Sequence, residues 1–142
     1  MSRREDTHCW ALEDQNQSLI LAAHGDDLAE IVYWGPRLPE GSELKMIAAA
    51  SRMDVTGGML DAVPPLSICP EARRTFPGQP GLSLADATGK ALLPRFTFDR
   101  VEESDQALSL HYRDAELGLR YQAQFELTRK TGMIRALASL SS

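Results

Sequence analysis

The chain has 142 residues, a hydrophobic share of 43%, a charged share of 25% and a formal net charge of −5. This length allows one domain with a core of its own, and the composition is that of a globular protein rather than a disordered or fibrous one. The negative charge argues against nucleic acid and anionic membranes as partners, since both bind clustered Lys and Arg. The sequence therefore predicts a single domain spanning residues 1–142.

The sequence carries no sign of export or of membrane insertion. Its charged N-terminal residues are not followed by the apolar segment of a signal peptide, and no window approaches the roughly 18 apolar residues of a membrane span. The two cysteines, Cys9 and Cys69, lie far apart and belong to no CxxC pair. This spacing favours reduced thiols over a disulfide framework or a zinc site. We therefore expect a cytoplasmic protein.

The first third of the chain favours strands. Residues 8–38 contain three short segments with alternating or continuous apolar residues, separated by two turns, and Gly25 lies in the second turn. The third segment, LAEIVYWG, is apolar on both faces, which predicts a strand covered by a layer on each side. In SELKMIAAASRM, Leu44 and Ile47 fall at helical spacing. This pattern predicts a short helix with Ser42 as its N-cap.

The rest of the chain divides into a long loop and a run of strands. Residues 54–90 hold most of the prolines, which predicts a longer loop than usual. From Leu92 the alternation predicts four strands, LLPRFTFDRV, QALSLHYRD, LGLRYQAQFELTR and GMIRALASL, with Gly132 in the last hairpin turn. The final segment alternates to its end, which we interpret as a sheet that continues beyond it. The whole pattern predicts a mainly β protein, an antiparallel β-sandwich with one short helix.

Motifs for catalysis or cofactor binding do not occur in the sequence. The three histidines, His8, His24 and His111, fall in different segments without metal-binding spacing, and there is no GxSxG, Walker or GxGxxG motif. Asp26 and Asp27 are adjacent carboxylates, but neighbouring residues on a turn point apart, so a solvated turn is the better interpretation. The sequence predicts no catalytic residue, no cofactor and no metal site.

Two regions carry side chains that suit sugar binding. Tyr33 and Trp34 are able to stack on the apolar face of a sugar ring, although a pair of core aromatics at a strand end is the favoured interpretation. The loop Pro64–Gly81 contains charged side chains that can hydrogen-bond hydroxyl groups and an aromatic ring for stacking; alternatively, its arginines are solvated or bridge to a neighbouring domain. Its candidate substrate-proximal residues are Glu71, Arg73, Arg74 and Phe76.

Three stretches, IVYWGPRLP, DVTGGMLDAVPPLSICPEARRTFPGQPGL and LPRFTFDRV, resemble in order and spacing the N-terminal β-sandwich domain of bacterial α-galactosidases of glycoside hydrolase family 36. TGMIRALASL resembles a further strand of that domain. The resemblance covers roughly residues 20–140 and implies that the sandwich is part of a larger β-supersandwich. The loop departs from the family, in which many members have a Gly-Asp-Phe-Arg type of sequence where this chain has EARRTFPG.

The resemblance implies that a longer parent enzyme carries the chemistry. Family members continue into a (β/α)₈ barrel with two catalytic aspartates for a retaining mechanism, and neither is found in this sequence. The chain is therefore expected to be inactive by itself, to pack on the barrel, and to bring Pro64–Gly81 near the active site. The implied partners are the barrel, an α-galactoside bound by the full-length enzyme, and further copies in a homo-oligomer.

Two other interpretations stay open on the residues alone. In the first, the chain is a free-standing carbohydrate-binding β-sandwich that uses Tyr33, Trp34 and the Pro/Arg loop. In the second, it is a structural interaction module with that loop as its docking surface. Each differs from the enzyme-fragment interpretation in expecting a complete module.

Overall fold

The computed structural model describes residues 6–51, 67–74, 76 and 78–142. Within these residues the chain forms three antiparallel sheets, with strand orders β1-β2-β3, β4-β5 and β6-β7-β8-β9. The elements are β1 (Thr7–Glu13), β2 (Gln17–His24), β3 (Glu30–Pro36), α1 (Leu44–Ala50), a 3₁₀ turn (Ala72–Arg74), β4 (Leu84–Ala85), β5 (Ala91–Leu92), β6 (Thr97–Glu103), β7 (Ala107–Asp114), β8 (Leu119–Thr128) and β9 (Met133–Ser141). None of the helices in this part of the chain is long and apolar enough to cross a membrane.

The three-stranded and four-stranded sheets pack face to face as a β-sandwich. One hydrophobic cluster contains residues of both sheets, because alternate side chains of each strand point to the same face. In β8 the alternation predicted from the sequence is confirmed, with buried residues at Tyr121, Ala123, Phe125 and Leu127. The predicted fold class, a mainly β antiparallel sandwich with one short helix, is confirmed.

Strand β2 is buried on both of its faces. Leu19 and Leu21 belong to the cluster between the sheets, whereas Ile20 and Ala22 point the opposite way and are also buried. Helix α1 contacts β1, β2 and β3, and its buried residue Ala48 identifies the side that packs on the sheet. The three-stranded sheet therefore has a core on one face and the helix on the other.

The helix begins at a different residue from the one predicted. Its N-cap is Glu43, whose side chain makes no capping hydrogen bond. Ser42 does not cap the helix, because its Oγ donates to the carbonyl oxygen of Pro39 at 2.7 Å. The predicted helix itself is confirmed, over Leu44–Ala50.

The prediction that the third strand is covered on both faces is wrong. β3 forms the edge of its sheet, and Ile31 and Trp34 are 49% and 64% exposed. Both residues pair with core residues of β2, Trp34 with Leu19 and Ile31 with Leu21. They consequently lie on the inner face of the sandwich but beyond the part that the opposite sheet covers.

The first strand predicted after the loop is divided into two pieces. The segment LLPRFTFDRV contributes to β5 and β6, and the residues around Pro94 between them are not in a strand. Proline has no N–H to donate to a ladder, and the next two backbone N–H groups bind carboxylates instead. Arg95 N donates to Asp114 Oδ2 at 2.7 Å and Phe96 N to Glu71 Oε1 at 2.7 Å. β5 pairs with β4, which lies within the region predicted to be a loop. Two-residue strands are too short to give a periodicity signal.

One buried hydrogen bond joins the two sheets. The backbone N–H of Ala29, just before β3, donates to the Tyr112 hydroxyl on β7 at 3.2 Å. Tyr112 is 1% exposed, and burial raises the pKa of its hydroxyl to about 12 although the Ala29 N–H opposes that shift. The hydroxyl is therefore present as a neutral hydrogen-bonding group.

We expect Tyr112→Phe to lower the free energy of unfolding by about 1–2 kcal/mol, because it leaves the buried N–H of Ala29 without an acceptor. Tyr33→Phe is the matched control, since it removes a hydroxyl that donates to Pro36 O at 2.7 Å on the surface, and we expect it to have little effect. Urea denaturation followed by circular dichroism measures both. Equal losses for the two variants would contradict the role assigned to the Tyr112 hydroxyl.

Candidate functional site

Two of the four predicted loop residues come together as a buried ion pair. Glu71 is 5% exposed, and its Oε2 accepts a hydrogen bond from Arg74 Nε. The 3₁₀ turn places these side chains together, with Arg74 N donating to Glu71 O at 3.0 Å, because residues three apart lie on the same side of such a turn. The spacing of the pair is therefore set by local backbone structure.

Arg74 also connects the loop to two other parts of the fold. One guanidinium nitrogen binds Asp27 in the turn between β2 and β3, and another donates to the carbonyl oxygen of Phe96 at 2.6 Å. Glu71 receives the N–H of the same Phe96. Glu71, Arg74, Asp27 and Phe96 thus form one network, called the loop clamp below.

The protonation of Glu71 reflects this burial. Loss of solvent raises the pKa of its carboxyl group, while the Phe96 N–H and the guanidinium of Arg74 act in the opposite direction. A buried carboxylate is costly unless donors surround it. The two donors offset part of this effect, so the pKa of the carboxyl group stays above its ordinary value.

Two backbone hydrogen bonds hold further described residues of the loop. Ile68 N donates to Ala29 O at 2.8 Å, and Gly81 N donates to Pro70 O at 2.9 Å. A Cβ at position 81 would lie 3.1 Å from the Cα of Cys69, so glycine allows this close approach. Residues 64–66, Thr75 and Pro77 of the predicted loop lie outside the described residues.

Arg73 and Phe76 are the two predicted loop residues outside the loop clamp. Arg73 donates to Glu116 Oε2 at 2.8 Å, with side chains that are 37% and 71% exposed. Phe76 is half-buried, and its ring lies so close to Gly78 that a Cβ there would be 2.7 Å from the ring. Together with Arg74, Asp27, His24 and Glu30, Phe76 lines a small cavity. Phe76 therefore packs beside the loop clamp, whereas Arg73 is exposed.

The aromatic pair is not brought together. Tyr33 pairs with Ile20 and Trp34 pairs with Leu19 across β2, so their side chains point to opposite faces of the sheet. The exposed indole of Trp34 is held by one hydrogen bond, from its Nε1 to Gln17 Oε1 at 3.1 Å. Gln17 is oriented in turn by Asp14 Oδ2 at 3.2 Å. Trp34 and the loop clamp lie near opposite ends of β2.

Sequence reasoning did not identify three of the polar residues that organise these regions. Asp27 was predicted to be a solvated turn residue, yet it binds Arg74 from that turn. Burial alone would raise the pKa of Asp114, but three backbone N–H donors hold it below its ordinary value. Gln17 supports Trp34. All three contacts join residues far apart in the chain or depend on burial, and no motif marks them.

Metal binding finds no support in this region. Among the described residues, no group of three or more His, Cys, Asp or Glu side chains is arranged to hold a metal ion. Cys9 and Cys69 are both free thiols, as predicted.

These features define an antiparallel β-sandwich with a clamped loop at one end and an exposed tryptophan at the other. The crystal structure of the alpha-galactosidase from Lactobacillus brevis has a similar fold, with a TM-score of 0.71 and 14% sequence identity over 99% of this chain and 22% of that chain. The chain thus spans about a fifth of the length of this solved protein. No protein-family model and no curated protein sequence matches it. The structural similarity shows that this chain shares its fold with that part of the solved protein.

We expect Arg74→Ala to lower the free energy of unfolding by about 3 kcal/mol, because the buried carboxylate of Glu71 loses its cation. Arg73→Ala is the matched control, a neighbouring arginine whose exposed pair with Glu116 contributes little. Urea denaturation of both variants measures the difference. Similar losses of unfolding free energy for the two variants would contradict the role of Arg74 in the loop clamp.

Proposed function

We propose that this chain is the non-catalytic N-terminal β-sandwich region of a retaining α-galactosidase of glycoside hydrolase family 36, a cytoplasmic homo-oligomer. In the parent enzyme the sandwich packs against a catalytic barrel, which hydrolyses terminal α-galactosides. The observation that carries the proposal is the likeness in fold to part of an alpha-galactosidase over 99% of this chain. The resemblance of its loop and strand sequences to that family supports it independently.

The loop has the properties that a substrate-proximal element needs. Its base is fixed by the loop clamp, Arg73 is exposed beside Glu116, and Phe76 lines a small cavity together with Glu71 and Arg74. A fixed base limits the entropy lost when the loop meets a ligand. In this proposal, Arg73 and Phe76 border the galactoside pocket, whereas Glu71 and Arg74 keep the loop in position.

The encoding gene tests the proposal first. We expect the reading frame to continue after Ser142 into a barrel with two catalytic aspartates, and the longer product to hydrolyse p-nitrophenyl α-D-galactopyranoside. The 142-residue chain alone should show no hydrolysis of this substrate. A stop codon directly after Ser142, or a longer product that is inactive on α-galactosides, would contradict the proposal.

The loop is tested separately in the longer enzyme. We expect Phe76→Ala to raise KM for an α-galactoside about fivefold, roughly 1 kcal/mol of binding free energy, because an aromatic contact is lost. Met46→Ala is the control, since Met46 is 65% exposed on the helix and outside the loop. If both variants keep the KM of the unmodified enzyme, the loop does not border the substrate.

A second candidate function is carbohydrate binding without catalysis, which the exposure of Trp34 favours. Its indole is 64% exposed and is oriented by Gln17, so one ring face is available for stacking on a sugar. Fluorescence titration of the 142-residue chain with melibiose tests this function, with Trp34→Phe as control because Trp10 is buried. A saturable change that disappears in Trp34→Phe would favour this second function.

A further inference from the structure

A polar cavity of about 340 Å³, called the turn cavity below, lies beside the turn between β1 and β2. Its volume is in the range of pockets that hold small organic ligands, roughly 300–1,000 Å³. Neither Trp34 nor any described residue of the loop lines it, so it is separate from the loop clamp and from the exposed indole. The lining residues come from the end of β1 and the turn after it, the residue after β3, and the turn between β8 and β9: Glu13, Asp14, Gln15, Asn16, Arg37 and Arg129.

Hydrogen bonds join the three segments around the turn cavity. Asp14 Oδ1 accepts the backbone N–H groups of Asn16 and Gln17 at 2.7 and 3.0 Å. Arg37 Nη1 donates to the carbonyl oxygen of Asp14 at 2.6 Å. The side-chain amide of Gln17 donates to Asp14 Oδ2 at 3.2 Å and to the carbonyl oxygen of Gly132 at 2.5 Å. The cavity is therefore formed before a ligand arrives, which reduces the conformational entropy that binding costs.

The turn cavity retains hydrogen-bonding groups that the fold does not use. The side-chain amides of Gln15 and Asn16 form no hydrogen bond with a described residue. Arg129 donates to the carbonyl oxygen of Asp105 at 3.2 Å and forms no salt bridge within the described part of the chain. An amide side chain both donates and accepts, and a guanidinium carries five N–H donors in one plane. These groups therefore offer donors and acceptors to the same ligand.

The charges around the turn cavity favour a neutral ligand. The lining contains two carboxylates, Glu13 and Asp14, and two guanidinium groups, Arg37 and Arg129. Arg37 Nη2 lies 3.6 Å from Glu13 Oε2. An anion in the cavity would be repelled by the carboxylates and a cation by the guanidinium groups, whereas hydroxyl groups are uncharged and both donate and accept hydrogen bonds. A compound with several neighbouring hydroxyl groups therefore matches the lining.

We propose that the turn cavity binds a neutral pyranose, with hydroxyl groups of the sugar hydrogen-bonded to Gln15, Asn16 and Arg129. A pyranose carries several hydroxyl groups on a ring, so it loses less conformational freedom on binding than an open-chain polyol. Asp14 and Arg37 keep the surrounding segments in position. This binding site is independent of hydrolysis by the parent enzyme and of stacking on Trp34, because it uses other residues.

NMR titration of the isotope-labelled 142-residue chain with D-galactose and with D-glucose tests the site. We expect saturable shifts of the side-chain amide signals of Gln15 and Asn16 with at least one of the two sugars. Arg129→Ala should weaken this binding about tenfold, because hydrogen bonds from a charged donor are lost. Lys130→Ala is the matched control, since Lys130 is the next residue, is exposed and does not line the cavity; it should bind like the unmodified chain. Circular dichroism verifies that both variants are folded.

A further variant and a charged sugar separate this site from the alternatives. Trp34→Phe should keep the affinity of the unmodified chain; loss of binding in this variant would assign the sugar to Trp34 and overturn the proposal. D-galacturonate, which has a carboxylate where D-galactose has a CH₂OH group, should bind no more tightly than D-galactose. Tighter binding of D-galacturonate would overturn the assignment of a neutral ligand. Absence of shifts with both neutral sugars, or equal weakening by Arg129→Ala and Lys130→Ala, would overturn the site itself.

Discussion

The buried carboxylate of Glu71 is the constraint that organises one end of the sandwich. A carboxylate with so little access to water needs donors from the protein. Here they are the N–H of Phe96, just before β6, and the guanidinium of Arg74 in the 3₁₀ turn that follows Glu71. Because Arg74 also binds Asp27, three segments distant in sequence are fixed relative to one another. The loop therefore takes its position from the rest of the fold.

This constraint separates residues of similar chemistry into different roles. Arg73 and Arg74 are neighbours in sequence, yet one makes an exposed pair with Glu116 and the other completes a buried network. A comparable separation applies to Tyr33 and Trp34, which alternate across the sheet. In both cases the environment that the fold gives a side chain, rather than its residue type, determines whether it can meet a ligand.

The sequence predicts the elements of this fold better than the contacts between them. Period-two alternation identifies β8, whose alternate residues are buried, and Gly132 indeed has positive φ, 67°, in its hairpin turn. The interruption at Pro94 is harder to predict, because it depends on where the N–H groups of Arg95 and Phe96 find acceptors. The exposure of Trp34 depends on strand order, which a single sequence does not encode locally. The clamp was missed because Glu71 and Phe96 are 25 residues apart.

The burial of β2 on both faces affects how the domain opens as well as how it is built. β2 is the central strand of its sheet, with the core on one side and the helix on the other. Its backbone amides lie where exposure to water requires disruption of most of the three-stranded sheet. Edge strands open at a lower free-energy cost than such a central strand. Local unfolding should therefore begin at the edges, and β2 should keep the slowest amide hydrogen exchange of its sheet.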